Sequence, residues 1–356
     1  MYDNDNPEEV LSYLKMHLLN QSRFLPLPKP ITLYLTKGKQ GTSYGTFIRN
    51  ITLEKRVKQD IIKYGYDKII DRYKAYDPLI HSIEFPMHYA MEVNKMRGVI
   101  AQCNNIFMFF PEVLGFYSNN IEDYLGFEFV DVWNEIFIRI IFPCCELAFT
   151  SDNTKKFNSL LKNKVKYISY FASIFHEIGH RVGPWKVSPT FNKNLKINEF
   201  QLGILGELAT DSILVQNLYD IEEIVVFIFL QRLFWFGRMG FNSNSLSANL
   251  NTDNDCWIGS FLWKKCVDMH CVSLNSQGLL EVNIIELPNI FISITKELTD
   301  LAYLLQQNDK DEHEDIINLW MRQKVEYNEK FGYVLPQDFK KILNKCCDII
   351  YNINES

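Results

Sequence analysis

Two histidines stand four residues apart in His176-Glu177-Ile178-Gly179-His180, with a glutamate directly after the first. On an α-helix this spacing puts both imidazoles on one face, about 6 Å apart at Cβ, close enough to share one metal ion. Glu177 stands beside them, where a carboxylate can act as general base toward a metal-activated water. The segment entering the motif, Tyr167 to Phe175, carries no charge, so this helix is expected to be buried on all sides. Core histidines held by hydrogen bonds are the plain alternative. Three polar, ionisable groups clustered in an apolar helix argue against it, because each one buried without a partner costs roughly 2–7 kcal/mol. Gly179 costs the helix about 1 kcal/mol relative to alanine. Either a close approach by backbone or ligand, or simple fraying of the helix end, accounts for it. Gly183 and Pro184 are expected to stop the helix.

Two imidazoles need a third ligand. One route is a histidine six residues beyond the second, in the pattern HExxHxxGxxH. Gly183 fits that pattern, but its last position is Lys186, and a protonated lysine does not bind metal. The other route is a carboxylate from a second helix. The stretch GELATDS supplies Glu207 and Asp211, the only charged residues between Phe200 and Tyr219. Both lie on the stripe that holds Ile204, Leu214 and Leu218, so they are expected to face the apolar side.

His176, Glu177, His180, Glu207 and Asp211 together resemble the active-site set of the gluzincins, the thermolysin-like zinc metallopeptidases. The resemblance covers residues 165–218. It implies that His176, His180 and Glu207 are zinc ligands and that Glu177 is the general base. It further implies that Asp211 is the acceptor that orients a ligand histidine. Asp211 as the ligand in place of Glu207 stays open. There is a looser resemblance to bacterial HExxH proteins encoded near peptide-modification and natural-product genes. Gluzincins also use a later tyrosine or histidine to stabilise an oxyanion, and His270, Tyr219 and Tyr327 are available. Arg181, Lys186, Arg232 and Arg238 are candidate anchors for a substrate carboxylate. Arg232 stands out because it interrupts the apolar run VVFIFLQRLFWF, where a buried guanidinium needs a carboxylate partner.

Two histidines and one carboxylate admit two chemistries. With zinc and an open position, the site is a hydrolase of the peptidase or amidase kind. With Fe(II), the same ligands form the facial triad of a non-haem oxygenase, a tailoring enzyme of peptide or natural-product biosynthesis. Glu177 favours hydrolysis, which needs a base at that position. A non-catalytic metal-binding protein is the third reading. The expected cofactor is one divalent metal, zinc first and Fe(II) as the alternative, and the expected partner is a peptide or small-molecule substrate.

Other motifs carry less. Cys266, His270 and Cys271 cluster in CVDMHC, but no CxxC pair completes a second metal site. His81 and His88 are expected to be structural. GKQGTSYG lacks the order of a phosphate-binding loop and is expected to be a turn.

The chain of 356 residues is 47% apolar and 22% charged, as in a globular protein. Its formal charge of −6, without a long basic stripe, is not that of a nucleic-acid binder. The apolar run Ile224–Leu230 is too short to span a membrane. The polar, acidic start MYDNDNPEEV and the dilute cysteines, two pairs of them adjacent, suggest a cytoplasmic protein with reduced thiols.

Periodicity predicts helices over 7–20, 53–75, 122–148, 156–182, 197–218, 220–238, 286–306 and 313–328. Strands are predicted in ITLYLT, HSIEF and NNIFMFFPE, a hairpin in VSLN and GLLEVNI, and a polar loop over 242–255. The expected fold is α+β and mostly α-helical, with zincin-like helices beside a small N-terminal sheet. An α/β part over 1–120, with strands near 81–110, would precede a helical metal-binding part over 121–356.

Overall fold

A computed structural model of the chain describes residues 31–38, 41–76, 87–97, 108–109, 125–186, 195–240 and 250–351. The helix expected at 7–20, the strand HSIEF with His81, and most of the polar loop from 242 lie outside the described residues.

The sheet has five strands: β1 (Ile31–Gly38), β2 (Gly41–Arg49), β3 (Met87–Arg97), β4 (Met108–Phe109) and β5 (Leu125–Phe129). Their order is β1-β2-β3-β5-β4, antiparallel except for the parallel β3–β5 pair. Within GKQGTSYG, expected as a turn, Gly38 pairs with Gly41 and residues 41–45 belong to β2. The β-favouring Thr, Tyr and Phe of TSYGTF carry the chain on as a strand.

Residues 53–75 form two helices, α1 (Ile51–Tyr64) and α2 (Tyr66–Lys74), divided by Gly65 at a left-handed φ of 111°. The continuous helix expected at 122–148 is also divided. Its described part begins as β5 and continues as α3 (Val130–Ile136), a π-helical stretch over 137–141, and α4 (Phe142–Ala148). Phe127, Glu128 and Phe129 are all buried, as in a strand covered on both faces, and pairing with β3 overrides the helical pattern. Then come α5 (Ser151–Leu161) and α6 (Val165–Gly179), separated at Asn163 with φ 68°. α6 ends before Gly183-Pro184, because its last turn tightens: Arg181 N donates to Ile178 O (3.0 Å) and Val182 N to Gly179 O (3.2 Å).

α7 (Glu199–Asn217) opens with a capping box between Asn198 and Gln201. α8 (Glu222–Leu230) passes into a π-helical turn over 231–236. After α9 (Asn254–Asp268) come the expected hairpin of β6 (Val272–Leu274) and β7 (Leu280–Val282), α10 (Leu287–Gln306) and α11 (His313–Lys324). A short hairpin of β8 (Tyr327–Asn328) and β9 (Gly332–Tyr333) precedes α12 (Gln337–Lys345) and α13 (Cys347–Tyr351).

The fold is thus mostly helical α+β with a small N-terminal sheet. Buried apolar side chains from Phe47 to Ile350 form one connected core, and α6 runs through it with Tyr170, Phe171 and Phe175 buried. The described cysteines are free thiols. Among the described residues, no helix is long and apolar enough to cross a membrane.

One backbone contact fixes how α9 meets the π-helical turn. A Cβ on Gly259 would stand 2.6 Å from Arg232 O and 2.7 Å from Gly237 Cα. Backbone atoms cannot yield cheaply, so Gly259→Ala is expected to cost about 1–3 kcal/mol of stability. The urea midpoint reads this, and an unchanged midpoint would refute the packing.

Candidate metal centre

α6 brings His176 and His180 to one face near its C-terminal end, and α7 crosses there with Glu207. Their donor atoms lie within 4.8 Å of one another, forming a group able to hold a metal ion. His180 Nε2 is 3.1 Å from His176 Nε2 and 3.3 Å from Glu207 Oε1, and His176 Nε2 is 3.4 Å from Glu207 Oε2. Ligands at 2.0–2.1 Å from a tetrahedral zinc ion are separated by about 3.3 Å, so the three donors stand at the spacing such an ion requires. The side chains of His176, His180 and Glu207 are 15%, 17% and 26% exposed, so the centre is reachable from solvent.

Behind these donors lies a buried polar network. His176 Nδ1 is 3.1 Å from Asp211 Oδ1. Donation to that carboxylate leaves Nε2 free to bind metal. Arg232, on the π-helical turn, donates through Nε to Asp211 Oδ2 (2.5 Å), through one terminal nitrogen to Glu207 Oε2 (3.1 Å), and through the other to Asp255. An inserted π-helical residue at a functional site is a recurrent pattern. Arg232 is buried, and its guanidinium also lies 4.8 Å from the centre of the Phe236 ring.

Three carboxylates on one guanidinium leave a formal charge of −2, which a divalent cation would neutralise. Burial works against ionisation of Glu207, but His180 and His176 outweigh it and hold the carboxyl well below its usual range. Burial likewise opposes the Asp211 carboxylate, and Arg232 and His176 keep it low. His176 is pushed the other way: burial would lower its pKa, but Glu207 and Asp211 raise it well above the usual histidine value. The chemistry and spacing of the donor set fit a divalent metal.

Glu177 follows His176 and is 4% exposed. On the sheet side of α6, His88 of β3 and Glu128 of β5 face each other, with Nε2 and Oε2 3.6 Å apart and both side chains buried. Tyr170 of α6 donates to the His88 carbonyl (2.7 Å) and stacks on its ring. Burial brings His88 down to about 3, which keeps it neutral. Burial and then the charge of Glu177 push the Glu128 carboxyl well up.

Most of the other candidates lie away from this cluster. His270 is exposed at the end of α9 opposite Asp255, a helix length of about 20 Å from it. Tyr219 is exposed in the turn after α7, about 18 Å along that helix direction from Glu207. Tyr327 lies on β8 beside Arg322, and Arg238 stacks on Trp235. Arg181 directly follows His180 and is half-buried. Lys186 is half-buried beyond the same end of α6. Cys266 and Cys271 are buried around the C-terminal cap of α9, while His270 is exposed.

Three contributors carried too weak a signal to be singled out from sequence. Thr210 was legible in principle, one helical turn after Glu207, and its Oγ1 is 3.1 Å from His180 Nδ1. Asp255 and Glu128 come from distant segments whose pairing leaves no local pattern.

No protein-family model matches the sequence, and no curated protein matches it. Among solved structures, the fold is similar to dipeptidyl-peptidase III from Caldithrix abyssi, with a TM-score of 0.57 and 11% identity over 96% of this chain and 66% of that one. It is also similar to dipeptidyl-peptidase III from Corallococcus sp. strain EGB, with a TM-score of 0.54 and 14% identity over 86% of this chain and 53% of that one. At these identities the likeness is one of fold. The chain spans less than two thirds of the length of either enzyme.

Removing Arg232 would leave buried carboxylates facing one another. Arg232→Met is expected to destabilise the protein by about 3–5 kcal/mol in chemical denaturation; a change within error would contradict the buried network. A pH dependence follows from His176. Its folded pKa is raised, so its stabilising contribution is fully present below about 6.5 and is lost as pH rises through the raised value. A metal ion competes with that proton. The gain in Tm on adding zinc to chelator-treated protein is therefore expected to grow with rising pH. A gain that shrinks as pH rises would contradict this.

Proposed function

We propose that the protein is a zinc-dependent hydrolase that cleaves an amide bond in a peptide or small-molecule substrate. One observation carries this reading: two imidazoles and a carboxylate from separate helices converge at metal-binding distances, with a buried glutamate directly after the first histidine. The fold similarity to enzymes named as dipeptidyl-peptidases supports it.

His176, His180 and Glu207 would hold the ion. A zinc ion supplies a Lewis acid for the scissile carbonyl and lowers the pKa of water. Glu177 would take the proton of the attacking water and pass it to the departing amine. Asp211 fixes the tautomer of His176, and Arg232 fixes both Asp211 and Glu207. An iron oxygenase would use the same three ligands but has no task for a base at residue 177.

Metal analysis of protein purified without added metal, combined with turnover of a peptide library read by mass spectrometry, tests the proposal. Glu177→Gln is expected to keep its zinc and to lose about 10²–10⁴-fold in kcat. Copurified iron, with dioxygen uptake that survives Glu177→Gln, would overturn it.

A further inference from the structure

His180 has its own partner, separate from the Arg232 network. Its Nδ1 stands 3.1 Å from Thr210 Oγ1, while its Nε2 faces His176 and Glu207. Thr210 is buried on α7, one turn beyond Glu207. The hydroxyl reaches the ring because the two helices nearly touch here. A Cβ built on Gly179 would lie 2.8 Å from Thr210 Cγ2 and 3.2 Å from Thr210 Cα. The second of these is backbone, so any side chain at 179 must push α7 away from α6.

We infer that Thr210 is a positioning residue for the metal centre, accepting the Nδ1 proton of His180 so that the Nε2 lone pair points at the ion. Gly179 is the residue that permits this contact. The inference rests on the metal-binding reading above but concerns a different hydrogen bond from the one Asp211 makes. An imidazole ligand is held in one tautomer by what its second nitrogen meets, and losing such a partner typically weakens metal binding about 10–100-fold. A neutral hydroxyl fixes the tautomer without adding charge to a network that already holds three carboxylates.

The test compares wild type with Thr210→Val, which keeps the methyl packed on Gly179, and with Thr210→Ser, which keeps the hydroxyl. Zinc affinity is read by competition with a chromophoric chelator, and the ligand field by the visible spectrum of the Co(II) protein. Thr210→Val is expected to bind zinc about 10–100-fold more weakly with a shifted Co(II) spectrum, and Thr210→Ser to restore both. Gly179→Ala is expected to weaken zinc in the same direction. Equal affinity and an unchanged spectrum in Thr210→Val would overturn the inference. Long-range ¹⁵N–¹H spectra of metal-free protein report the His180 tautomer whether or not zinc binds. A wild type that takes up no metal would therefore sink the hydrolase reading, and the spectra would still decide this one. Nδ1 protonated in wild type, with the tautomer population changed in Thr210→Val, supports the inference; Nδ1 unprotonated in wild type overturns it.

Discussion

The crossing of α6 and α7 leaves no room for a Cβ between Gly179 and Thr210. His176 and His180 lie three residues before and one after Gly179, and Glu207 and Asp211 stand in the same relation to Thr210. Both helices therefore present these side chains within one turn of the contact. A displacement of about 1 Å there would change every donor separation at once, because helices are rigid over so short a span. The spacing of the donor cluster depends on that closeness.

What surrounds the crossing holds it against electrostatic strain. Burying several carboxylates in one region is unfavourable unless cations or hydrogen bonds compensate them. Arg232 supplies one cation by linking Glu207, Asp211 and Asp255, and the π-helical turn that carries it packs on Gly259 of α9. Residues far apart in sequence thus join one balance of charge, and its remaining −2 matches a divalent ion. On the other side of α6, burial pushes both members of the His88–Glu128 pair toward their neutral forms.

Much of this was readable from the chain because local spacing carried it. The histidine pair announced itself through the four-residue interval, and Glu207 and Asp211 through their isolation in an apolar helix. The helical bulk and the hairpin after α9 also followed from periodicity. Leu125–Phe129 did not, since a short apolar run looks alike in a buried helix and a buried strand until its partner β3 is known. The breaks at Gly65 and Asn163 depend on left-handed backbone that windowed periodicity smooths over. Asp255 was illegible for a different reason: its pairing with Arg232 is tertiary, and no spacing rule spans it.

The central claim is that two imidazoles and one carboxylate bind a single ion, and X-ray absorption of the protein loaded with one equivalent of zinc tests it most directly. The account predicts only light N and O scatterers at about 2.0–2.1 Å, with the outer-shell signature of two imidazole rings. Sulfur scatterers at about 2.3 Å, or failure to retain one equivalent of zinc through dialysis, would contradict it.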